Sequence, residues 1–227
     1  MKRDLAKKLL DKTAEDYNLI AEDFSKTRFF LWPEFSEFLK FIKNGDSILD
    51  LGCGNGRLYE LFEDLSIDYL GLDRSSNLIS AAKEKWKGCA AKFGIGDALD
   101  LEFKNEFDAV FFIAVLHHIS SEELRLEALK GIYDSLKPGG KFFMTNWMLW
   151  QKKYLPHILK YTALKIIGKN KMDFGDILLP WKMGKEWTGR YYHAFTERKI
   201  LRLAKRAGFK IIKSWKSDRN YVMICEK

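Results

Sequence analysis

Short apolar runs alternate with helical patterns through the middle of this 227-residue chain. The runs are typical of buried strands, and the segments between them carry apolar residues at helical spacing. The predicted strands are 47–51, 68–72, 89–95, 107–115 and 141–147, and the predicted helices are 57–64, 75–87 and 120–136. This alternation favours an α/β fold with a mostly parallel, doubly wound sheet and helices on both faces. The length suits one such domain spanning 1–227.

The segments before the alternation predict N-terminal helices within 1–45. Thr13 is placed to cap a helix over 13–24, and a second short helix is expected after Pro33. Within the alternating part, Ser120 and Glu123 have the spacing of a capping box that would open the helix at 120–136.

The end of the chain follows another pattern. Thr196 is expected to cap a helix that Gly208 ends. Two strand-like runs, 209–215 and 220–225, follow with a short turn between them, which predicts an antiparallel hairpin at the sheet edge. Residues 148–195 fit neither pattern and are predicted to form an insertion over the carboxyl edge of the sheet.

Several protein classes are disfavoured by composition. The longest apolar stretch, Ala109 to Leu116, is far shorter than the ~20 residues of a membrane span. The first residues carry charges where a signal peptide has its apolar segment. Three widely spaced cysteines argue against a disulfide framework or a metal site, so we expect a cytoplasmic protein without a metal.

Charge is distributed unevenly along the chain. Residues 1–136 hold 18 Lys and Arg against 25 Asp and Glu, whereas residues 137–227 hold 21 against 6. The corresponding net charges are −7 and +15. Such polarity suggests a face that meets a polyanion, although solubility alone is an alternative explanation.

A glycine-rich turn joins the first predicted strand to the next helix, in the order Asp50-Leu51-Gly52-Cys53-Gly54-Asn55-Gly56. Glycines let the backbone approach a ligand closely and present its amides. A dinucleotide-binding fingerprint would need glycine or alanine at position 57, where this sequence has Arg57. Asp50 would suit a cationic amine nearby, such as the methionine part of S-adenosylmethionine, and would repel a pyrophosphate.

Two further carboxylates end neighbouring strands. Asp73 ends the second predicted strand, where it could accept from both ribose hydroxyls. Asp97 ends the third, where it could hold an adenine amino group. Both could instead cap the segments that follow them, since aspartate is a favoured cap.

The order of these motifs, followed by Lys137-Pro138-Gly139-Gly140 before a strand, resembles the class I S-adenosylmethionine-dependent methyltransferases. The resemblance covers roughly residues 46–147. It implies a seven-stranded sheet with a reversed final strand and S-adenosylmethionine as cofactor. The residues that we predict to contact it are Tyr17, Asp50, Gly52, Gly54, Asn55, Asp73, Arg74, Asp97, Ala98 and Ala114.

Other segments of the sequence are typical of a narrower group of methyltransferases. The segments are Phe24-Ser25-Lys26-Thr27-Arg28, Trp32-Pro33, Ile113-Ala114-Val115-Leu116-His117-His118-Ile119, Leu179-Pro180-Trp181, Arg190-Tyr191-Tyr192-His193 and Arg219-Asn220-Tyr221. Together they resemble the tRNA wobble-uridine carboxymethyl methyltransferases, which esterify 5-carboxymethyluridine. The resemblance implies the tRNA anticodon stem-loop as substrate and a small zinc-containing activator protein as a partner.

A carboxylate acceptor needs fixed cationic donors more than an acid–base pair, because it is already ionised at neutral pH. We therefore predict Arg28 and Arg190 as anion clamps. His117, at the end of the fourth strand, and His193 are predicted to contact the acceptor. His118 is an alternative to His117, and either could simply satisfy backbone groups.

The basic stretch 152–171 has three interpretations: phosphate contact, a membrane-surface helix, or a lid with solvated lysines. No membrane partner is predicted. Two other functions stay open at this point. One is a small-molecule carboxyl or hydroxyl methyltransferase, and the other is a non-catalytic donor-binding or RNA-binding subunit.

Overall fold

A mixed β-sheet forms the centre of the protein in the computed structural model, which describes residues 1–27, 30–183 and 186–227. The strands are β1 (Ser47–Leu51), β2 (Asp68–Asp73), β3 (Lys92–Ile95), β4 (Phe107–Ile113), β5 (Leu136–Trp147), β6 (Asp176–Met183), β7 (Glu186–His193), β8 (Lys210–Lys216) and β9 (Asn220–Glu226). Seven of these described strands form the main sheet in the order β3-β2-β1-β4-β5-β9-β8. The first five pair in parallel, and β9 is antiparallel to both β5 and β8. The predicted doubly wound sheet with a reversed C-terminal hairpin is confirmed.

Seven α-helices and two short 3₁₀ helices accompany the strands in the part of the chain that the structure describes. The α-helices are α1 (Arg3–Leu19), α2 (Ala21–Thr27), α3 (Phe35–Leu39), α4 (Ser76–Lys85), α5 (Glu122–Ser135), α6 (Leu155–Ile166) and α7 (Glu197–Arg206), and the 3₁₀ helices are Arg57–Phe62 and Leu116–His118. No helix among the described residues combines the length and the apolar character required to cross a bilayer.

Apolar residues cover both faces of the sheet. On one face, α1, α5 and α7 pack against the strands through residues such as Ala6, Leu129 and Leu203. On the other face, α3 and α4 contribute Phe38 and Ala82 to a second buried cluster. Burial on both faces explains why the central strands are nearly continuous apolar runs in the sequence.

The strand order reverses at β1, which lies between β2 and β4. In open α/β sheets, the helices that follow strands on the two sides of such a point leave a crevice at the carboxyl ends. The glycine-rich turn after β1 therefore lies at the position where a ligand is expected.

The predicted insertion consists of α6 and a two-stranded hairpin, β6 and β7, paired antiparallel from Asp176 opposite His193 to Met183 opposite Glu186. The strand β7 lies close to α1 and to the 3₁₀ helix Leu116–His118. This contact brings the insertion to the same end of the sheet as the glycine-rich turn.

The N-terminal helix differs from its predicted bounds. It begins at Arg3, and Thr13 lies inside it, where its hydroxyl donates to the Leu9 carbonyl at 2.8 Å. The prediction of a cap at Thr13 was therefore wrong. The buried face is built from Ala6, Leu10 and Thr13, and two of these are too small or polar to produce a clear apolar stripe.

Further bounds also needed correction. The side chain that caps α5 is Ser121, which accepts from Leu124 N–H at 3.2 Å, whereas the Ser120 hydroxyl donates to the Ala6 carbonyl. The segment predicted as a helix over 57–64 is a 3₁₀ helix. In addition, β3 begins at Lys92, β4 ends at Ile113, and β5 begins at Leu136. Ala114 adopts a φ of +58°, which turns the chain and ends β4.

Candidate active site

The glycine-rich turn after β1 folds back over β2. Gly52 N–H and Cys53 N–H both donate to the Leu72 carbonyl, at 2.7 and 3.0 Å. Gly52 has a φ of +77°, and a Cβ there would lie 2.3 Å from Val115 Cγ2. Positive φ and lack of space together require glycine at this position. The turn therefore brings bare backbone to the edge of a cavity.

Asp73, at the end of β2, points back to the same turn. Its Oδ2 accepts from Gly54 N–H at 3.0 Å and its Oδ1 from Ser75 N–H at 2.8 Å. Burial raises the pKa of Asp73, while these backbone donors act in the opposite direction. The carboxylate both caps the segment before α4 and lines the cavity, so its capping role is compatible with the predicted donor contact.

Asp97, just after the end of β3, also accepts from a backbone amide that follows it and also lines the cavity. Its Oδ1 accepts from Leu99 N–H at 3.0 Å, and its Oδ2 pairs with Arg74 Nε at 3.2 Å. Arg74 also pairs with Asp11 of α1 at 2.7 Å. These ion pairs connect the N-terminal helix to the rim of the cavity.

Asp50 lies at the bottom of the cavity with only 2% of its surface exposed. The Tyr69 hydroxyl donates to Asp50 Oδ2 at 2.6 Å. Burial raises the pKa of Asp50 to about 7, although the Tyr69 hydrogen bond lowers it.

All ten residues predicted to contact the donor line this one cavity. They are Tyr17, Asp50, Gly52, Gly54, Asn55, Asp73, Arg74, Asp97, Ala98 and Ala114. The sequence prediction missed other lining residues, including Leu78, Val115 and Trp147. Leu78 and Val115 carry no sequence signal beyond apolar character, so only their position in the fold identifies them.

The two neighbouring histidines have different surroundings. His118 lines the cavity, whereas His117 is buried against the rings of Trp147 and Tyr192 at centroid distances of 5.3 and 5.6 Å. Burial lowers the pKa of His117 to about 3 and also lowers that of His118. The prediction that preferred His117 over His118 for direct contact is therefore not supported, because His118 and not His117 lines the cavity.

A hydrogen-bond chain determines the tautomer of His118. Its Nδ1 lies 3.2 Å from the Tyr191 carbonyl, which can only accept, so Nδ1 carries the proton. Its Nε2 lies 3.0 Å from the Tyr17 hydroxyl and accepts from it. The insertion thus orients a cavity residue through backbone and side-chain hydrogen bonds.

One of the two predicted anion clamps, Arg190, is not at the cavity surface. Arg190 is 2% exposed, and its guanidinium carbon lies 4.5 Å from the Tyr17 ring centroid. It lines neither this cavity nor the cleft described below. Arg28 lies outside the described residues.

His193 belongs to a buried polar cluster. Its Nδ1 donates to Asp176 Oδ1 at 2.6 Å, and the same oxygen accepts from the Tyr191 hydroxyl at 2.7 Å. Arg125 Nη2 lies 3.3 Å from this oxygen. The prediction that His193 contacts the acceptor is not supported, because the side chain joins the insertion to α5 instead of lining the cavity.

A second, larger cleft opens beside the cavity. It is lined by residues of the N-terminal segment, the insertion and the β8–β9 turn, including Trp32, Arg57, Trp147, Tyr154, His157, Tyr192 and Arg219. Trp32, Arg57 and Trp147 line both spaces. The cavity and the cleft therefore meet at these three residues.

Residues 48–140 match the family model described as a methyltransferase domain. This range contains the glycine-rich turn and both strand-end aspartates. Residues 48–140 of this chain are therefore a methyltransferase domain.

Two relatives share the name tRNA (carboxymethyluridine(34)-5-O)-methyltransferase. The protein of Xenopus tropicalis is 30% identical over 93% of this chain and 40% of its own length. The protein of Schizosaccharomyces pombe is 28% identical over 93% of this methyltransferase and 94% of its own length. The chain thus spans less than half of the first relative and nearly all of the second.

Two solved structures share the fold. The S-adenosylmethionine-dependent methyltransferase of Methanosarcina mazei has a TM-score of 0.71 and 23% identity, covering 87% of this chain and 98% of its own. The second is one chain of a complex between the Haloferax volcanii Trm112 methyltransferase activator and a methyltransferase. That chain has a TM-score of 0.64 and 16% identity, and the match covers 95% of this chain and 96% of that one. At these identities the likeness shows the fold alone.

The lining of the cavity fits S-adenosylmethionine. The donor carries a positive sulfonium and amine, vicinal ribose hydroxyls and an apolar purine. Asp50 can attract the amine, Asp73 can accept from the ribose, and Asp97 lies beside the apolar Ala98. The glycines place no side chain in the space that the ligand needs.

We expect donor affinity to increase about tenfold between pH 5.5 and pH 7.5, because Asp50 ionises near pH 7 and then attracts the donor amine while that amine is still protonated. Asp50→Asn should abolish this dependence, and Tyr69→Phe should move its midpoint upward by removing the hydrogen bond that favours the carboxylate. Titration calorimetry across this range measures both. A flat profile in the unmodified protein would show that Asp50 does not interact with the amine.

The raised pKa of Asp50 also makes the free energy of unfolding of the ligand-free protein depend on pH. Between the ordinary aspartate pKa and about 7, the folded protein holds a proton at Asp50 that the unfolded chain has lost. The contribution of Asp50 to the free energy of unfolding therefore falls as pH rises through this window. Asp50→Asn, measured by urea unfolding, should remove that part of the decline.

Proposed function

We propose that this methyltransferase transfers a methyl group to the carboxylate of a carboxymethyl group on the wobble uridine of a tRNA, giving the methyl ester. The shared name of the two relatives supports this acceptor. The structural observation that carries the proposal is the junction of the donor cavity with the aromatic and cationic cleft at Trp32, Arg57 and Trp147. An unstacked base can pack on such rings while its substituent reaches the donor.

The chemistry of the site agrees with an acceptor that is already ionised. A carboxyl group with a pKa near ~4 carries no proton at neutral pH, so its methylation needs no general base. Burial lowers the pKa of both His117 and His118, so both rings are neutral at that pH. When bound, S-adenosylmethionine supplies an electrophilic methyl carbon on a positively charged sulfur.

The chain's own residues must align the acceptor and exclude water. Alignment of two reactants in a fixed geometry can contribute roughly 7–11 kcal/mol to lowering a barrier. Trp32 and Trp147 form walls where the two spaces meet. We propose that Arg190 supports the ring of Tyr17 and that His193 supports the insertion. A carboxylate oxygen forms a bond to the methyl carbon, the carbon–sulfur bond breaks, and the sulfur keeps the electron pair.

Charge on the insertion supports a polyanionic substrate. Residues 137–172 contain no Asp or Glu. The exposed lysines of 152–171 lie within α6 or flank it; they are Lys152, Lys153, Lys160, Lys169 and Lys171. No ion pair is found for these lysines among the described residues. We infer that they contact phosphates of the anticodon stem, with affinity that falls as salt rises.

The test uses purified protein, S-adenosylmethionine labelled in its methyl group, and tRNA that carries 5-carboxymethyluridine. We expect label to enter the tRNA as an ester that mild alkali releases. The matched control is the same tRNA without the carboxymethyl group, which should take up no label. Label in small carboxylic acids but not in tRNA would contradict the proposal and favour a small-molecule methyltransferase.

We further propose a small zinc-containing activator protein as partner; one protein of the same fold was solved in complex with the Haloferax volcanii Trm112 methyltransferase activator. Described residues of this chain line the donor cavity, and we expect the partner to act on stability or on RNA binding. Co-purification followed by a melting-temperature comparison tests this.

A cytoplasmic location agrees with three cysteines that are free thiols.

A further inference from the structure

Arg57 occupies a distinctive place between the donor cavity and the outer cleft. It follows Gly56 directly and begins the 3₁₀ helix Arg57–Phe62. Its guanidinium carbon lies 5.1 Å from the Trp32 ring centroid, and its Nη1 donates to the Phe30 carbonyl at 3.2 Å. These contacts hold the charged group between the glycine-rich turn and the N-terminal segment.

Other cationic side chains are placed differently. Arg74 lines the donor cavity but pairs with Asp97 and Asp11. Lys153 and Arg219 line only the outer cleft. Of the arginines and lysines that the structure describes, Arg57 alone lines both the donor cavity and the outer cleft.

Its charge also reaches the bottom of the cavity. Arg57 acts to lower the pKa of Asp50, against the dominant effect of burial. A guanidinium within electrostatic reach of the donor motif and on the wall of the cleft is placed to meet an anion that enters from the cleft. Arginine suits this task because its planar N–H donors match a carboxylate.

We propose that Arg57 holds the acceptor carboxylate beside the methyl donor. The inference rests on the proposed function and names a residue that the sequence prediction did not select. A guanidinium N–H binds one carboxylate oxygen and leaves lone pairs on the other to form the bond to the methyl carbon. No proton moves in this step.

The kinetic consequence has a definite direction. As the carboxylate becomes an ester, its negative charge disappears and its attraction to Arg57 weakens. An interaction that is stronger with the ground state than with the transition state favours binding more than turnover. Loss of this interaction should therefore raise KM for tRNA and leave kcat unchanged or slightly higher.

The experiment compares binding of two tRNAs, with and without the carboxymethyl group, to unmodified protein and to Arg57→Gln. The unmodified protein should prefer the carboxymethylated tRNA about tenfold or more, as a charge-assisted hydrogen bond predicts. Arg57→Gln should bind the two tRNAs equally, and Arg57→Lys should recover part of the preference. Affinity for S-adenosylmethionine should stay within about threefold in both variants.

Arg198→Gln, on the exposed start of α7 and outside both spaces, is the matched control and should keep the preference. Full preference in Arg57→Gln would overturn the assignment, as would loss of donor binding in that variant with its melting temperature unchanged. Failure of the proposed function would instead appear in the unmodified protein, as a lack of methyl transfer to carboxymethylated tRNA.

Discussion

Asp73→Ala is expected to weaken binding of S-adenosylmethionine about 100-fold, which corresponds to about 2.7 kcal/mol. The carboxylate can accept two hydrogen bonds from the ribose, and hydrogen bonds to charged groups contribute about 1.5–3 kcal/mol each. It also accepts from Gly54 and Ser75 N–H and so holds the glycine-rich turn in place. Titration calorimetry with the donor measures the effect, while tRNA binding should be unchanged.

Asp68→Ala is the matched control for this prediction. Asp68 lies at the opposite end of the same strand, β2, where it is exposed and pairs with Lys92. Removal of this carboxylate should change donor affinity by less than about twofold, since surface ion pairs contribute little. Equal donor affinities in Asp73→Ala and Asp68→Ala would show that the strand-end carboxylate does not contact the donor.

Asp176→Ala is expected to lower the free energy of unfolding by about 3–5 kcal/mol and the melting temperature by roughly 10 °C. Burial acts to raise the pKa of Asp176, but the hydrogen bond from His193 and the charge of Arg125 together keep it below its ordinary value. Arg125 and Asp176 are both fully buried, so loss of the carboxylate leaves a guanidinium without its counter-charge in the interior. Urea and thermal unfolding measure the loss.

Two variants separate this effect from ordinary loss of charge. Asp134→Ala removes an exposed carboxylate paired with Lys104 and should cost less than about 1 kcal/mol. The double variant Arg125→Met, Asp176→Leu should regain much of the stability, because apolar groups can replace a buried ion pair. A single Asp176→Ala variant as stable as Asp134→Ala would contradict the assigned role of the cluster.

The donor side could be predicted from sequence because its residues lie at strand ends. Parallel strands bring their carboxyl ends to one edge, so Asp50, Asp73 and Asp97 converge without any knowledge of the loops. The short spacing within the glycine-rich turn makes the position of its amides equally local. This is why the predicted donor residues line one cavity.

The acceptor side could not be predicted in the same way. Its walls come from the N-terminal segment, β5, the insertion and the β8–β9 turn, which are far apart in sequence. Arg190 and His193 belong to a specific sequence segment, yet the hairpin register directs them toward Tyr17 and Asp176. A single 3₁₀ turn over Leu116–His118 places His118 and not His117 on the cavity.

The amino-acid sequence by itself determined the doubly wound sheet, its reversed last strand and the carboxylates of the donor cavity. Each of these follows from local periodicity or from the common edge at which parallel strands end. Only the tertiary structure decided which cations line the donor cavity, because Arg57, Arg74 and Arg190 differ in the partners that packing gives them. Long-range docking of the insertion and the N-terminal segment sets those partners, and no spacing in the sequence encodes it.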